Sequence, residues 1–268
     1  MRRGWLLPTI AVLGFAFLYG PIVSLVVFSF NESRLVTVWS RFSLKWYGEL
    51  FADPQMLNAA WLSLQIAAMS ASIALVLGTL CAVALVRFRR FRGRTALAGM
   101  VSAPLVMPDV ITGLSLLLLF VAMEGLIGWP SGRGATTITL AHTTFCMAYI
   151  TVVVQSRLAD LDLSLEEAAM DLGATPARVF FDITLPIIAP ALISGWLLGF
   201  TLSLDDLVIA SFVSGPGSST LPMVIFSKIR LGVSPDVNAL ATIIIGIVSL
   251  GVLGATILQM TRPKTNKA

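Results

Sequence analysis

The chain has 268 residues, of which 57% are hydrophobic and only 12% charged, and its mean hydropathy is +0.90. A soluble domain of this length carries roughly 25% charged residues, so the composition excludes a soluble enzyme or regulator and points to an integral membrane protein. The net charge of +4 calls for no nucleic-acid partner, because membrane proteins gather Arg and Lys in their inner loops.

Arg2 and Arg3 precede an uncharged run from Gly4 to Asn31. That run is longer than a signal-peptide core of ~7–15 residues and no small-x-small cleavage site follows, so it reads as a retained first span, about 5–30, with its basic end inside. Residues 31–55 mix charges with Trp39, Trp46 and Tyr47, the composition of an outer loop touching the membrane interface. The second span, 57–86, is uncharged and ends at five arginines between Arg87 and Arg94, which read as a stop-transfer loop rather than a nucleic-acid or lipid-headgroup patch.

A third span is expected over 97–123, containing Pro104, Pro108 and Asp109, and a fourth over 136–155, containing the only histidine, His142. Span five covers 187–207 and reaches Asp205 and Asp206 near its outer end. Leu207 to Phe226 is apolar but interrupted by Ser214–Ser219 and Pro222, so a folded outer segment is expected there. The last span is 237–258. Six spans with both termini cytoplasmic place Arg2, Arg3, the five arginines of 87–94, Arg157, Arg178, Arg262, Lys264 and Lys267 inside, twelve of the eighteen basic residues. The inverted topology would place six there, so charge favours the first arrangement. Cys81 and Cys146 both fall in apolar runs and suit packing rather than a disulfide.

Between spans four and five lies a charged region, 157–186. Ser164 followed by Glu167 has the spacing of a capping box, Leu165 to Leu172 are good helix formers, and Gly173 is placed to end the helix in a left-handed turn. Thr175-Pro176 then starts a second helix in a new direction, and Pro186 permits another break. The small residues Ala168 and Ala169, flanked by Glu167 and Asp171, suit close docking into a partner's groove. A DNA-binding helix-turn-helix would need a basic recognition helix, and this stretch is acidic. Glu167-Ala168-Ala169, three residues, Gly173, nine residues, then Ile183-x-Leu185-Pro186 resembles the EAA motif of ABC-importer permeases. The resemblance implies a cytoplasmic coupling helix seated in a cleft of an ATPase subunit, with Glu166, Glu167, Ala168, Ala169, Asp171, Gly173 and Pro176 as the docking residues.

No Gly-x4-Gly-Lys-Ser/Thr loop occurs, so this chain is not expected to hydrolyse ATP, and one histidine with two distant cysteines cannot build a metal site. A membrane hydrolase would need Ser218 or Ser219 activated by His142, and nothing in the sequence brings them together. His142 reads better as a hydrogen-bonding packing residue between helices. Carboxylates at bilayer depth cost a few kcal/mol, so Asp109, Asp205 and Asp206 should face a pathway, a partner or a countercharge. The structural alternatives are a helix cap after Pro108 for Asp109 and an interfacial turn for the pair.

Ala103–Phe120, Phe200–Gly217 and Asn238–Thr242 resemble the polyamine branch of these permeases, and the likeness runs over nearly the whole chain. It implies an all-α, six-span, type I ABC-importer permease fold and an inner-membrane location. The implied assembly is a heterodimer with a second permease, two ATPase subunits that bind the ATP and Mg, and a periplasmic polyamine-binding protein. The implied substrate is putrescine, with spermidine as the variant, and Asp109, Asp205 and Asp206 are the residues expected to line its path, since a di- or polycation needs negative partners. The chain itself is expected to carry no cofactor and no catalytic residue, and to contact lipid but no nucleic acid. The competing readings are a permease of the same architecture for sulfate, iron or an amino acid, and a secondary transporter. An anion carrier would line its path with Arg or Lys, whereas the embedded charges here are aspartates.

Overall fold

A computed structural model describes residues 6–35, 38–88, 90–231 and 235–261. Arg2, Arg3, Arg89, Arg262, Lys264 and Lys267, on which part of the charge count rests, lie outside them. The described residues are mostly helical, with a single isolated bridge between Asn31 and Phe42 and no strand, so the fold is all-α as the family resemblance implies. Among the described residues, five helices are long and apolar enough to cross a membrane: Leu7–Phe28, Pro54–Arg87, Asp109–Ile127, Ala135–Ala159 and Pro176–Asp205. A shorter apolar stretch, Pro235–Gly251, lies in the last helix.

The chain packs as two units, Met1–Leu57 with Ile225–Ala268, and Asn58–Val224. In the first unit α1 (Leu6–Phe28) and α2 (Lys45–Ala52) pack against α12 (Pro235–Thr261). The connection after α1 is organised by Asn31, whose side chain donates to the Val38 carbonyl and accepts from the Ser40 amide and hydroxyl. Its own carbonyl accepts the Trp46 indole N–H at 2.7 Å. Trp46 is therefore buried rather than interfacial, because its one polar atom has a partner inside, while Trp39 stays exposed. Lys228, near the end of α11 (Leu221–Leu231), donates to Asp53 at 2.7 Å and to Asp236 at 2.5 Å, clasping the starts of α3 (Pro54–Arg87) and α12.

The second unit is built on α6 (Ala135–Ala159), whose buried residues recur at helical spacing: Ile138, His142, Cys146, Ile150, Val154 and Leu158. Since lipid tails are as apolar as leucine, helices associate here by close packing more than by the hydrophobic effect, and small residues permit it. A Cβ on Gly78 of α3 would lie 3.2 Å from the Met147 carbonyl oxygen and the Thr151 amide, and one on Gly199 of α9 (Leu185–Asp205) 2.9 Å from Ile150. Both helices thus approach α6 through glycines.

Two proline positions behave differently from expectation. The stretch 97–123 is two helices, α4 (Arg94–Val106) and α5 (Asp109–Ile127), because Pro108 offers no N–H and forces Met107 into an extended conformation, φ −78°, ψ 136°. Pro186, expected to permit a break, instead sits in the first turn of α9, and the chain reaches it through a π-helical turn, Phe180–Thr184, in which the Leu185 N–H bonds back to the Phe180 carbonyl. The wider turn removes the clash that the Pro186 ring would make with the carbonyl four residues earlier, so the helix continues.

Candidate functional site

The region between α6 and α9 forms two short helices, α7 (Leu163–Asp171) and α8 (Pro176–Val179). The cap of α7 is Asp162, not Ser164: its carboxylate accepts the Ser164 amide at 3.0 Å, and the negative charge also suits a helix N-terminus. That amide holds the Asp162 carboxyl below its usual range. At the other end Gly173 has φ +87°, its N–H bonds to the Met170 carbonyl at 2.9 Å and the Ala174 N–H to that of Ala169 at 3.0 Å. This is a Schellman turn, and the positive φ requires glycine. The Thr175 hydroxyl accepts from the Arg178 amide, and Pro176 occupies the first turn of α8, so the chain restarts in a new direction.

Helix α7 buries none of its residues. Leu165, Ala168, Ala169 and Leu172 stand at i, i+3, i+4 and i+7, which places them in one stripe. Leu165 and Ala168 are exposed, Ala169 is half-exposed, and Leu172 is 90% exposed. Glu167, Asp171, Gly173 and Pro176 are exposed as well, rimming the stripe with charge. Glu166, grouped with them on sequence grounds, turns the other way. Its side chain is 14% exposed, and one carboxylate oxygen accepts from Arg87 at 2.6 Å and from the Thr184 hydroxyl at 2.7 Å. Leu165, Ala168 and Leu172 thus lie bare to the outside, Ala169 is partly covered, and the residue turned toward the body is a glutamate.

The acids of the apolar stretches divide into two kinds. Asp206 follows α9 and is mostly buried, and its carboxylate accepts the amides of Ile209 at 3.3 Å and Ala210 at 2.7 Å, starting α10 (Val208–Val213). It also meets His142 Nε2 at 3.1 Å, while His142 Nδ1 lies 2.7 Å from the Ser203 hydroxyl. A carboxylate only accepts, so Nε2 donates, and in the neutral ring Nδ1 then accepts the Ser203 proton. His142 is 1% exposed and spans α6, α9 and the α10 cap, a packing role. Serine, histidine and aspartate are linked as in a hydrolase, but Ser203 is buried on α9 and offers no trajectory for attack, and Ser218 closes onto the Gly215 backbone instead. Asp205, the last residue of α9, is exposed. Asp109 is exposed too, but it lies at the first residue of α5 rather than inside a span. Gly113, one turn on from Asp109, packs against Ile209 and Phe212 of α10, so the two acid-bearing segments are neighbours.

Arg87, Thr184 and Ser203 were not legible as site residues. Arg87 stands in an arginine-rich loop and is explained by its charge alone, and Thr184 belongs to no pattern. Ser203 could have been found: a histidine in an apolar span needs a hydrogen-bonding partner, and Ser203 lies one turn before Asp206.

The family model for the binding-protein-dependent transport system inner membrane component matches residues 74–267. The putrescine transport system permease protein PotI of Escherichia coli K12 is 64% identical over 254 residues, 95% of this chain and 89% of the relative. The spermidine/putrescine transport system permease protein PotC of the same strain is 41% identical over 94% of this chain and 93% of the relative. Among solved structures, a chain of a bacterial ABC transporter that imports the acidic polysaccharide alginate superposes with a TM-score of 0.72 at 16% identity, covering 97% of this chain and 96% of that one. A chain of the MetNI methionine ABC transporter gives 0.60 over 78% of this chain and 96% of that one. The chain belongs to the binding-protein-dependent transport system inner membrane component family and has the helical fold of ABC-transporter permeases.

Proposed function

We propose that this family member is a pore-forming permease subunit of an ATP-driven polyamine importer, with putrescine as its substrate. The observation that carries the coupling role is the exposed stripe of Leu165, Ala168 and the C-cap Leu172, with Ala169 partly covered beside them, on a helix that buries none of its own residues. An isolated nine-residue helix is marginal in water, and this one is capped at both ends, pre-shaped for a groove. The groove belongs to an ATPase subunit, which holds ATP and Mg, so α7 lies in the cytoplasm with both chain termini. A second permease completes the pore, and a periplasmic binding protein delivers the polyamine from the opposite side.

The substrate reading rests on the two relatives named above and on the free carboxylates. A diamine at neutral pH is a dication, and a dication crossing a low-dielectric region needs negative partners. Asp205 and Asp109 are exposed and uncommitted to capping, whereas Asp206 is occupied by His142 and two amides. Transport follows when nucleotide binding closes the ATPases and moves α7 as a rigid body, converting one packing of the spans to the other.

The test is radiolabelled putrescine uptake by cells expressing the whole transporter. Leu172→Glu should abolish uptake and co-purification of the ATPase subunit while leaving the chain in the membrane. Undiminished uptake by that variant would refute the docking face, and transport of an anion in place of putrescine would refute the substrate.

A further inference from the structure

Helix α7 must be fastened to the spans if it is to move them, and its fastening is unusual. It contributes no buried residue, and between it and the ends of α3 and α6 lies an apolar cavity of about 540 Å³, bordered by Leu80, Val83, Leu158, Met170 and Phe180. Apolar packing, limited to partly covered side chains such as Met170, therefore holds α7 only loosely. The polar contact across that gap is Glu166, whose Oε1 receives Arg87 Nη2 at 2.6 Å and Thr184 Oγ1 at 2.7 Å. Arg87 is the last residue of α3, and Thr184 ends the π-helical turn that leads into α9. Arg87 and Glu166 are 19% and 14% exposed, and Thr184 is buried, so the contact is shielded and strengthened by its surroundings.

We infer that Arg87 and Thr184 are positioning residues of the coupling step: through Glu166 they lock α7 to α3 and α9, so that a push on the exposed stripe reaches two spans at once. The inference rests on the proposed coupling role of α7 and adds to it the place where force leaves the helix. A charge-assisted pair suits this task because its geometry is directional, whereas contacts around a cavity can slide. It also gives Glu166 a job distinct from that of Glu167, which faces outward one residue later.

The experiment uses the complete transporter in proteoliposomes, with the second permease, ATPases and binding protein. The first readout is putrescine imported per ATP hydrolysed. Arg87→Ala should lower that ratio about tenfold, within the span of ordinary coupling free energies, while hydrolysis persists. Thr184→Val should lower it less, Arg87→Lys should keep most of it, and the exchange of Arg87→Glu with Glu166→Arg should recover part of the loss. A purely structural role would lower import and hydrolysis together, and an unchanged ratio in Arg87→Ala overturns the inference. The second readout is the distance distribution between spin labels at Ser164→Cys on α7 and Leu77→Cys on α3. It should be narrow and constant through the nucleotide cycle in the otherwise native protein and broad in Arg87→Ala. Equal widths overturn the lock irrespective of substrate, whereas wild-type vesicles that hydrolyse ATP without importing putrescine overturn the substrate reading alone.

Discussion

Helices α6 and α7 follow one another in the chain and are held in opposite ways. Helix α6 buries most of its length, is approached by glycines on α3 and α9, and satisfies its one histidine internally. Helix α7 buries nothing, is shaped by Asp162 at one end and Gly173 at the other, and touches the body through a glutamate. The first is defined by shape and tolerates no added volume. The second is defined by caps and charge, and its apolar face is left for another surface. If α7 has the proposed coupling role, stability and coupling rest on separate residues, and substitutions should separate them.

The largest effect is expected at the α3–α6 seam. In Gly78→Leu the new Cβ meets Ile150 Cγ2 at 3.1 Å and two backbone atoms of α6 at 3.2 Å, and the backbone cannot give way, at a cost of about 3 kcal/mol. Membrane abundance and the thermal midpoint in detergent should both fall, and normal values would show that the seam is looser than drawn. Next come the adjacent aspartates. Asp206→Ala removes a cap and leaves His142 without its acceptor, about 2 kcal/mol in all, whereas Asp205→Asn should leave the midpoint unchanged and depress putrescine uptake. Equal thermal midpoints for the two variants would erase the distinction between a structural and a free carboxylate.

Gly173→Val tests the other side of the comparison. A β-branched residue at φ +87° costs roughly 1–2 kcal/mol, felt by a helix that has little else to hold its end. Abundance should be normal while uptake falls about tenfold relative to ATP hydrolysed. Normal uptake with normal stimulated hydrolysis would defeat the lever.

The smallest effect belongs to the Lys228 clasp, a charged tie outside both helices. The Lys228 ammonium, ahead of the Met56 and Gln55 amides, outweighs burial and holds the Asp53 carboxyl below its usual range. Burial acts to lower the Lys228 ammonium, but Asp236 and Asp53 outweigh it and raise it. A depressed acid stabilises above its unfolded pKa of ~3.9 and loses that contribution as pH falls through the folded value. A raised base keeps its contribution below ~10.4 and loses it as pH rises through the folded value. The clasp, worth about 1 kcal/mol after solvent screening, should be flat between pH 4 and 10 and fade below. Midpoints of the native chain and Lys228→Ala that differ equally at pH 3 and pH 7 would contradict it.

Much of this was legible in the residues. Composition and charge-free runs pointed to long apolar helices, and the described residues hold five long enough to cross a membrane, although the stretch 97–123 divides at Pro108. Gly173 and Thr175-Pro176 gave the α7–α8 turn, since each requires a backbone conformation few residues supply. What escaped was long-range. Pro108 and Pro186 look alike in sequence, yet one ends a helix and the other is absorbed by a π-helical turn. Glu166 and Glu167 are the same residue type side by side, and only the rotation of α7 relative to Arg87 decides which is tucked in. Asp205 and Asp206 divide for the same reason, through a histidine more than sixty residues earlier.

The bare leucine at 172 also bears on how such a chain is made. Newly synthesised copies that outnumber their partner display an uncovered apolar hook at the membrane surface, the kind of patch that invites mispairing and proteolysis. On the proposed docking role, copies made in excess of the ATPase subunit are expected to be short-lived, and a pulse-chase with and without that subunit would read the difference.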